Sequence, residues 1–179
     1  MTKIILCFSC AIMLLSCNNS KTESAATTDA KDSTAKSTVD LPYTASYSSS
    51  FNTDVSDADL KTVMASYKDW ADGNMANVAK AYADSMQWMR HDGQSYKNPK
   101  DGIMKLWTGY RDSLSSITID MQGWQKLHSI DKKDNWVATW YKEIDTYKSG
   151  KADSGYYHDL NMVKDGKIVV LEQYKRAAK

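Results

Sequence analysis

The sequence has almost no cysteine: Cys7, Cys10 and Cys17 are the full set in 179 residues. Everything after Cys17 is therefore closed to disulfides, metal thiolates and cysteine nucleophiles. Histidine is equally scarce. His91, His128 and His158 are the three present, with no His-x-His or His-x-x-x-His spacing, so the pattern offers no metal site and implies no cofactor. Excess charge is missing too, with 23 Lys and Arg against 22 Asp and Glu. The cations are scattered, with no run that would track a phosphate backbone, which removes nucleic acid as a partner. The one long apolar run, the twelve residues from Ile4 to Leu15, is too short to span a bilayer comfortably.

That run follows Lys3 and ends in Leu14-Leu15-Ser16-Cys17, the cation, apolar stretch and small residue of a secretion signal. The last four residues resemble the lipobox of bacterial lipoproteins, in which the signal is cut before the cysteine and the thiol carries a diacylglyceryl group. The resemblance implies that residues 1–16 are removed and that Cys17 becomes a lipidated first residue. The protein is then expected on a cell-envelope membrane, the outer membrane with the domain facing the periplasm. Two or three acyl chains anchor firmly where one would not. Cleavage takes Lys3 and no acid, leaving 22 cations against 22 carboxylates.

From Asn18 to Ser56, 16 of 39 residues are Ser or Thr, and large aliphatic side chains are almost missing before Val39. Such a segment cannot bury enough apolar surface to offset its ordering entropy. Residues 17–56 therefore read as the lipidated cysteine and a flexible tether, with Tyr43, Tyr47 and Phe51 able to rest on the folded domain. Residues 57–179 suffice for one domain with one core. Ser56 and Asp59 open a helix whose apolar positions Leu60, Val63, Met64, Tyr67 and Trp70 recur at helical spacing until Gly73. A shorter helix runs from Met75 to about Asp84, after which "SMQWMRH" alternates like a strand. Asn98-Pro99 supply an N-cap and first-turn proline for a third helix marked by Ile103, Leu106, Trp107, Tyr110 and Leu114. Beyond Ser115 come four long strands, broken at 131–135 and at two-residue turns on Ser149-Gly150 and Asp165-Gly166. Helices first and an antiparallel meander afterwards make the class α+β.

This order, together with "YKDWADGNMANVAKAYADSMQWMRHDG" at 67–93 and "YYHDLNMVKDGKIVVLEQY" at 156–174, resembles the nuclear transport factor 2-like superfamily. That group includes the SnoaL-like polyketide cyclases and the ketosteroid isomerases. The resemblance implies a cone, three N-terminal helices packed on a strongly curved antiparallel sheet around an apolar pocket, often in a homodimer paired through the sheets. In the isomerase-like members a carboxylate on the first strand is the base, and a Tyr on the first helix and an acid on a later strand stabilise an enolate. Gapless alignment on these motifs puts the base position on Arg90, which cannot accept a proton. It puts the later acid position on His158 and the tyrosine position on Ser66, with Tyr67 one residue away.

Strand alternation sorts the remaining acids, because residues two apart share a face. Asp120 goes with Thr118, Gln122 and Trp124. Glu143 and Asp145 go with Thr139 and Tyr141, opposite Trp136, Ala138 and Trp140. Asp159 goes with Asn161, opposite Leu160 and Met162. Each carboxylate belongs to the more polar set and is expected on the outer or dimer face, while Glu172, in phase with Ile168, Val170 and Tyr174, is assigned to neither face. His158, in phase with Leu160 and Met162, is expected to point inward. The expected pocket lining is Met86, Trp88, Arg90, Trp107 and His158, with Trp136 or Trp140 as further candidates. One cation among aromatics suits a small apolar or anionic amphipathic ligand. With no base in place, the favoured reading is a ligand-holding or assembly domain without catalysis. Its rival is an acid–base isomerase, dehydratase or cyclase that uses His158 and Arg90.

Overall fold

The computed structural model describes residues 41–178. The signal sequence, Cys17 and the first part of the tether lie outside the described residues. Residues from Leu41 onward form one compact unit.

Three helices precede most of the sheet. Helix α1 spans Asp57–Asp72; the Ser56 hydroxyl accepts a hydrogen bond from the Asp59 N–H at 3.0 Å, and the helix stops at Gly73 in the left-handed conformation, φ 80°. Helix α2 comes at once as Met75–Ala81, and α3 is Lys100–Asp112. Arg111, at the end of α3, ties it to the end of α1: its Nε donates to the Trp70 carbonyl at 3.2 Å and its Nη2 to the Ala71 carbonyl at 3.2 Å. A Cβ built on Gly73 would lie 3.1 Å from that guanidinium, so glycine there serves both the backbone angle and the close approach.

The sheet contains β1 Phe51–Asn52, β2 Tyr82–Met89, β3 Ser95–Pro99, β4 Leu114–Ser129, β5 Asn135–Tyr147, β6 Ala152–Lys164 and β7 Lys167–Ala177. Their order is β1-β4-β5-β6-β7-β2-β3, antiparallel except for the β2/β7 pair. Register shifts at Met121/Gly123 and Met162/Val163 bend it, because an extra residue on one strand sharpens twist and curvature. The helices sit in the concavity. Val63, Val78, Met86, Ile103, Val137 and Ile168 form the fully enclosed end of the core.

Several details depart from the sequence expectation: α2 ends at Ala81 and not near Asp84, because Tyr82–Asp84 already belong to β2, and Leu114 opens β4 instead of closing α3. The tether's end joins the sheet: β1 pairs with β4, Tyr47 donates to Asp134 at 2.6 Å, and Val55 is buried in the core. Pro99 closes β3 and is itself the residue before α3, with no side-chain cap, so the third helix starts one position later than the Asn98-Pro99 pair suggests. The Ser149-Gly150 turn is a three-residue loop, Lys148 to Gly150, with the Tyr147 N–H bonded to the Lys151 carbonyl and Gly150 at φ 86°. Asp165-Gly166 is the two-residue turn expected, both residues at positive φ.

A candidate acid–base site inside the cone

Between the helices and the concave face of the sheet lies a cavity of about 490 Å³. Register decides which strand residues face it. On β5 the inward set is Val137, Thr139, Tyr141, Glu143 and Asp145; on β6 it is Tyr157, Asp159, Asn161 and Val163, the two sets opposed across the ladder. The enclosed valines at one end fix this phase. It is the reverse of the one expected for the acids of β5 and β6. Asp120 on β4 is exposed, as its alternation suggested, but Glu143, Asp145 and Asp159 are all buried and all line the cavity.

The reversal has a physical cause. The face of β5 that carries Trp136, Trp140 and Ile144 is more apolar than the face that carries the acids, so ranking the faces by hydrophobicity selects the wrong one. His158 illustrates the consequence. It is exposed on the outer face, stacked on Trp140 at 5.0 Å and near Tyr174 at 6.3 Å, and it does not line the cavity. Trp136 is also turned away and donates to the Tyr47 hydroxyl at 3.0 Å. Met86 is 2% exposed and belongs to the core beneath the cavity. Trp88, Arg90 and Trp107 line the cavity, joined by Trp70, which helical spacing alone assigned to the core. On β7 the bulge puts Ile168 and Leu171 on the inner side, three residues apart, and turns Glu172 outward beside Tyr174.

Asp159 sits at the inner end. It is 0% exposed, and its Oδ2 accepts hydrogen bonds from the Tyr67 hydroxyl at 2.9 Å and the Tyr141 hydroxyl at 2.8 Å. Tyr67 also meets Thr139 Oγ1 at 3.0 Å and accepts from Asn161 Nδ2 at 3.1 Å. Oδ1 of Asp159 has no partner within the protein. Burial raises the Asp159 carboxyl to about 7, and the two tyrosine hydrogen bonds, together with the nearby Gln173 amide, only partly oppose it. Nearer the mouth, burial and then the nearby charges of Asp145 and Asp159 raise Glu143 to about 8, and burial raises Asp145 as well. Tyr67 and Tyr141 are held protonated well past the ordinary tyrosine range, by burial and then by the Asp159 charge.

Arg90 stands at the rim. Its guanidinium lies over the Trp88 ring at 5.2 Å and pairs with Asp92 at 2.9 Å. His91 is exposed and lines the same rim. At two positions matched on the family motifs, the neighbouring residue points into the cone. Ser66, at the tyrosine position, spends its hydroxyl on the Val63 carbonyl, 2.7 Å away; its neighbour Tyr67 enters the cone. His158 faces out, and its neighbour Asp159 faces in. A helix face read at 3.6 residues per turn already contained Tyr67, whereas no local signal in β6 identified Asp159.

No protein-family model and no curated protein matches the sequence. Solved structures do match. They include an LEH-like epoxide hydrolase from M. tuberculosis, at 12% identity over 66% of this chain and 83% of that one, TM-score 0.56. AusH from Aspergillus nidulans matches at 13% identity over 70% and 88%, TM-score 0.56. An NTF2-like protein of unknown function from Burkholderia pseudomallei matches at 13% identity over 68% and 92%, TM-score 0.55. The domain has a nuclear transport factor 2-like fold. At these identities the likeness establishes the architecture and no activity. Among the described residues of this domain, no group of three or more His, Cys, Asp or Glu could hold a metal ion.

Proposed function

We propose that the cone is an acid–base site for a small, flat, oxygen-bearing molecule, with Asp159 transferring the proton and Tyr67 and Tyr141 positioning it. One observation carries this reading: a fully buried carboxyl lines an open cavity with one oxygen held by two hydroxyls and the other without a hydrogen-bond partner. With Oδ2 occupied by two donors, the acid's own proton belongs on Oδ1, where it can pass to a ligand oxygen. Once ionised, Oδ1 can take a proton back. A carboxyl near 7 has both forms within reach at neutral pH. The non-catalytic reading rested on an interior without a base, and three interior carboxyls remove that ground. Isomerisation, dehydration and opening of an epoxide all fit such a group; the solved structures that share the fold include an epoxide hydrolase.

The test is a panel of two- and three-ring β,γ-unsaturated ketones, β-hydroxy ketones and epoxides followed by NMR. One class is expected to turn over, slowed about 10²- to 10⁴-fold in Asp159→Asn, with a rate profile that bends near pH 7. Saturable quenching of tryptophan fluorescence by a panel member with no turnover of any would return the domain to a binding role. Turnover untouched by Asp159→Asn would remove Asp159 from the chemistry.

We also propose that a lipid on Cys17 holds the domain at the cell envelope through the 17–56 tether. No helix among the described residues is long and apolar enough to cross a membrane. Cys17→Ser is expected to release the protein from the membrane fraction; unchanged partition in that variant would defeat the anchor.

A further inference from the structure

Two acids near the mouth of the cavity have no ion-pair partner among the described residues, although the charge of Lys175 reaches both. Glu143 and Asp145 lie two residues apart on the inner face of β5, and each accepts one hydrogen bond from a helix aromatic. Trp70 Nε1 donates to Glu143 Oε2 at 3.3 Å, and the Tyr110 hydroxyl donates to Asp145 Oδ2 at 2.7 Å. The Trp70 and Tyr110 rings are 6.3 Å apart and within 8° of parallel. Asp145 is 3% exposed, and its Oδ1 has no partner within the protein.

The cations of the cavity wall are already engaged. Arg90 pairs with Asp92 at 2.9 Å, and Lys175 pairs with Asp153 at 3.2 Å while lying over the Tyr157 ring at 5.3 Å. Neither Glu143 nor Asp145 has an ion-pair partner among the described residues. An anion placed here would meet two buried acids and no free cation. A buried acid with a free oxygen calls for a donor, and a charged donor gains most where water is excluded. Aromatic faces beside the acids favour a cation too.

We infer that the mouth of the cone is a subsite for the protonated amine of an amphipathic ligand, its N–H groups donating to Glu143 and Asp145 beside the faces of Trp70 and Tyr110. The inference rests on the cone being the ligand site proposed above and goes further by assigning the ligand's charge. It replaces the anion expected from Arg90 in sequence, because Arg90 is answered by Asp92. The ladder sets the ligand's length. Asp159 is opposite Thr139, and Glu143 lies four residues farther along β5, roughly 13 Å at strand rise. Between them the Tyr141 and Tyr157 rings stack at 5.1 Å, 7° from parallel, so the wall between the two acids is aromatic. The ligand class is therefore a flat amine with an oxygen function at the far end.

Calorimetry on the full-length chain in detergent tests this with three probes of one shape: 2-(aminomethyl)naphthalene, 2-naphthalenemethanol and 2-naphthoate. The amine is expected to bind about 10-fold or more tightly than the alcohol, and the naphthoate weakest of all. In the double variant Glu143→Gln, Asp145→Asn the amine should fall to the level of the alcohol, with thermal melts showing a folded protein. Equal binding of amine and alcohol, preference for naphthoate, no amine binding, or an amine preference that survives the double variant would each overturn the subsite. Asp159→Asn should keep the amine preference. Amine selectivity without turnover of any substrate would then defeat the acid–base reading and leave the subsite standing.

Discussion

Raising the pH from about 4 to about 8 is expected to destabilise the folded protein, and Asp159→Asn or Glu143→Gln should recover much of the loss. Asp159 is raised from 3.8 to about 7 and Glu143 from 4.5 to about 8 in the fold. In the unfolded chain both release their protons near their ordinary values, so across this window the unfolded state holds fewer protons than the folded one. Stability then falls with rising pH; it is fully present below the unfolded values and fully lost above the folded ones. Either carboxyl alone corresponds to on the order of 4 kcal/mol, and the two are coupled, so their effects do not add. Asp84, Asp131 and Asp153 act in the opposite sense: hydrogen bonds to Lys100, Ser48 and Lys175 respectively lower each carboxyl. Their contribution is present at neutral pH and lost in acid. The two branches together put the stability maximum near the ordinary carboxyl values, at about pH 4. Urea melts at pH 5, 7 and 9 on the parent and on each variant measure this. A flat profile, or variants that track the parent, would show that neither acid is held protonated by the fold.

A loss of that size is large against the roughly 5–15 kcal/mol by which domains are stable. The aromatic shell around the acids limits the damage. Trp88 stacks on Tyr96 at 5.4 Å and meets Trp107 edge-on at 5.3 Å, while Trp107 meets Tyr82 at 5.1 Å. This wall belongs to β2, β3 and α3, and it is continuous with the enclosed core. The acids themselves stand on β5 and β6, in the middle of the sheet, so the site is carried by rigid elements.

The architecture was legible in sequence because its signals are local. The Ser56 cap, the Gly73 stop, the Asp165-Gly166 turn and the change from helical to alternating period each come from a few neighbouring residues. Strands β1 and β3 were not legible, since each depends on a partner far along the chain or across a turn. The site was the least legible part, and the reason lies in the strands. Alternation gives the two faces of a strand correctly but not which one is inside. On β5 and β6 the inside is the more polar face, because it borders a cavity with acids in it. Local rules are broken most often where a protein works. Trp88 and Trp107 could be placed from their own elements, whereas Asp159 could be placed only from the valines buried at the end of its ladder.

Tyr67→Phe is expected to be the most informative single change, because its cost should depend on pH. The hydroxyl serves Asp159, Thr139 and Asn161, all of them 0% exposed. Asn161 keeps the Val137 carbonyl at 3.3 Å, and Asp159 keeps Tyr141, so the fold should survive. At pH 5, where Asp159 is protonated, the loss is that of neutral hydrogen bonds, about 1–2 kcal/mol. At pH 9 the same hydroxyl stabilises a carboxylate, a bond of about 1.5–3 kcal/mol in place of a neutral one, so its removal should cost about 1 kcal/mol more. Hydrogen bonds from Tyr67 and Tyr141 favour the ionised form, so losing one drives the carboxyl above 7 and widens the window in which stability falls. Urea melts at the two pH values and carbon-detected NMR of the Asp159 carboxyl read both effects. Tyr141→Phe should act in the same direction through its own hydrogen bond at 2.8 Å. A cost identical at pH 5 and pH 9, with an unmoved carboxyl titration, would mean that Asp159 never ionises in the folded protein. It could then donate a proton but not take one back, and the cone would hold a ligand without turning it over.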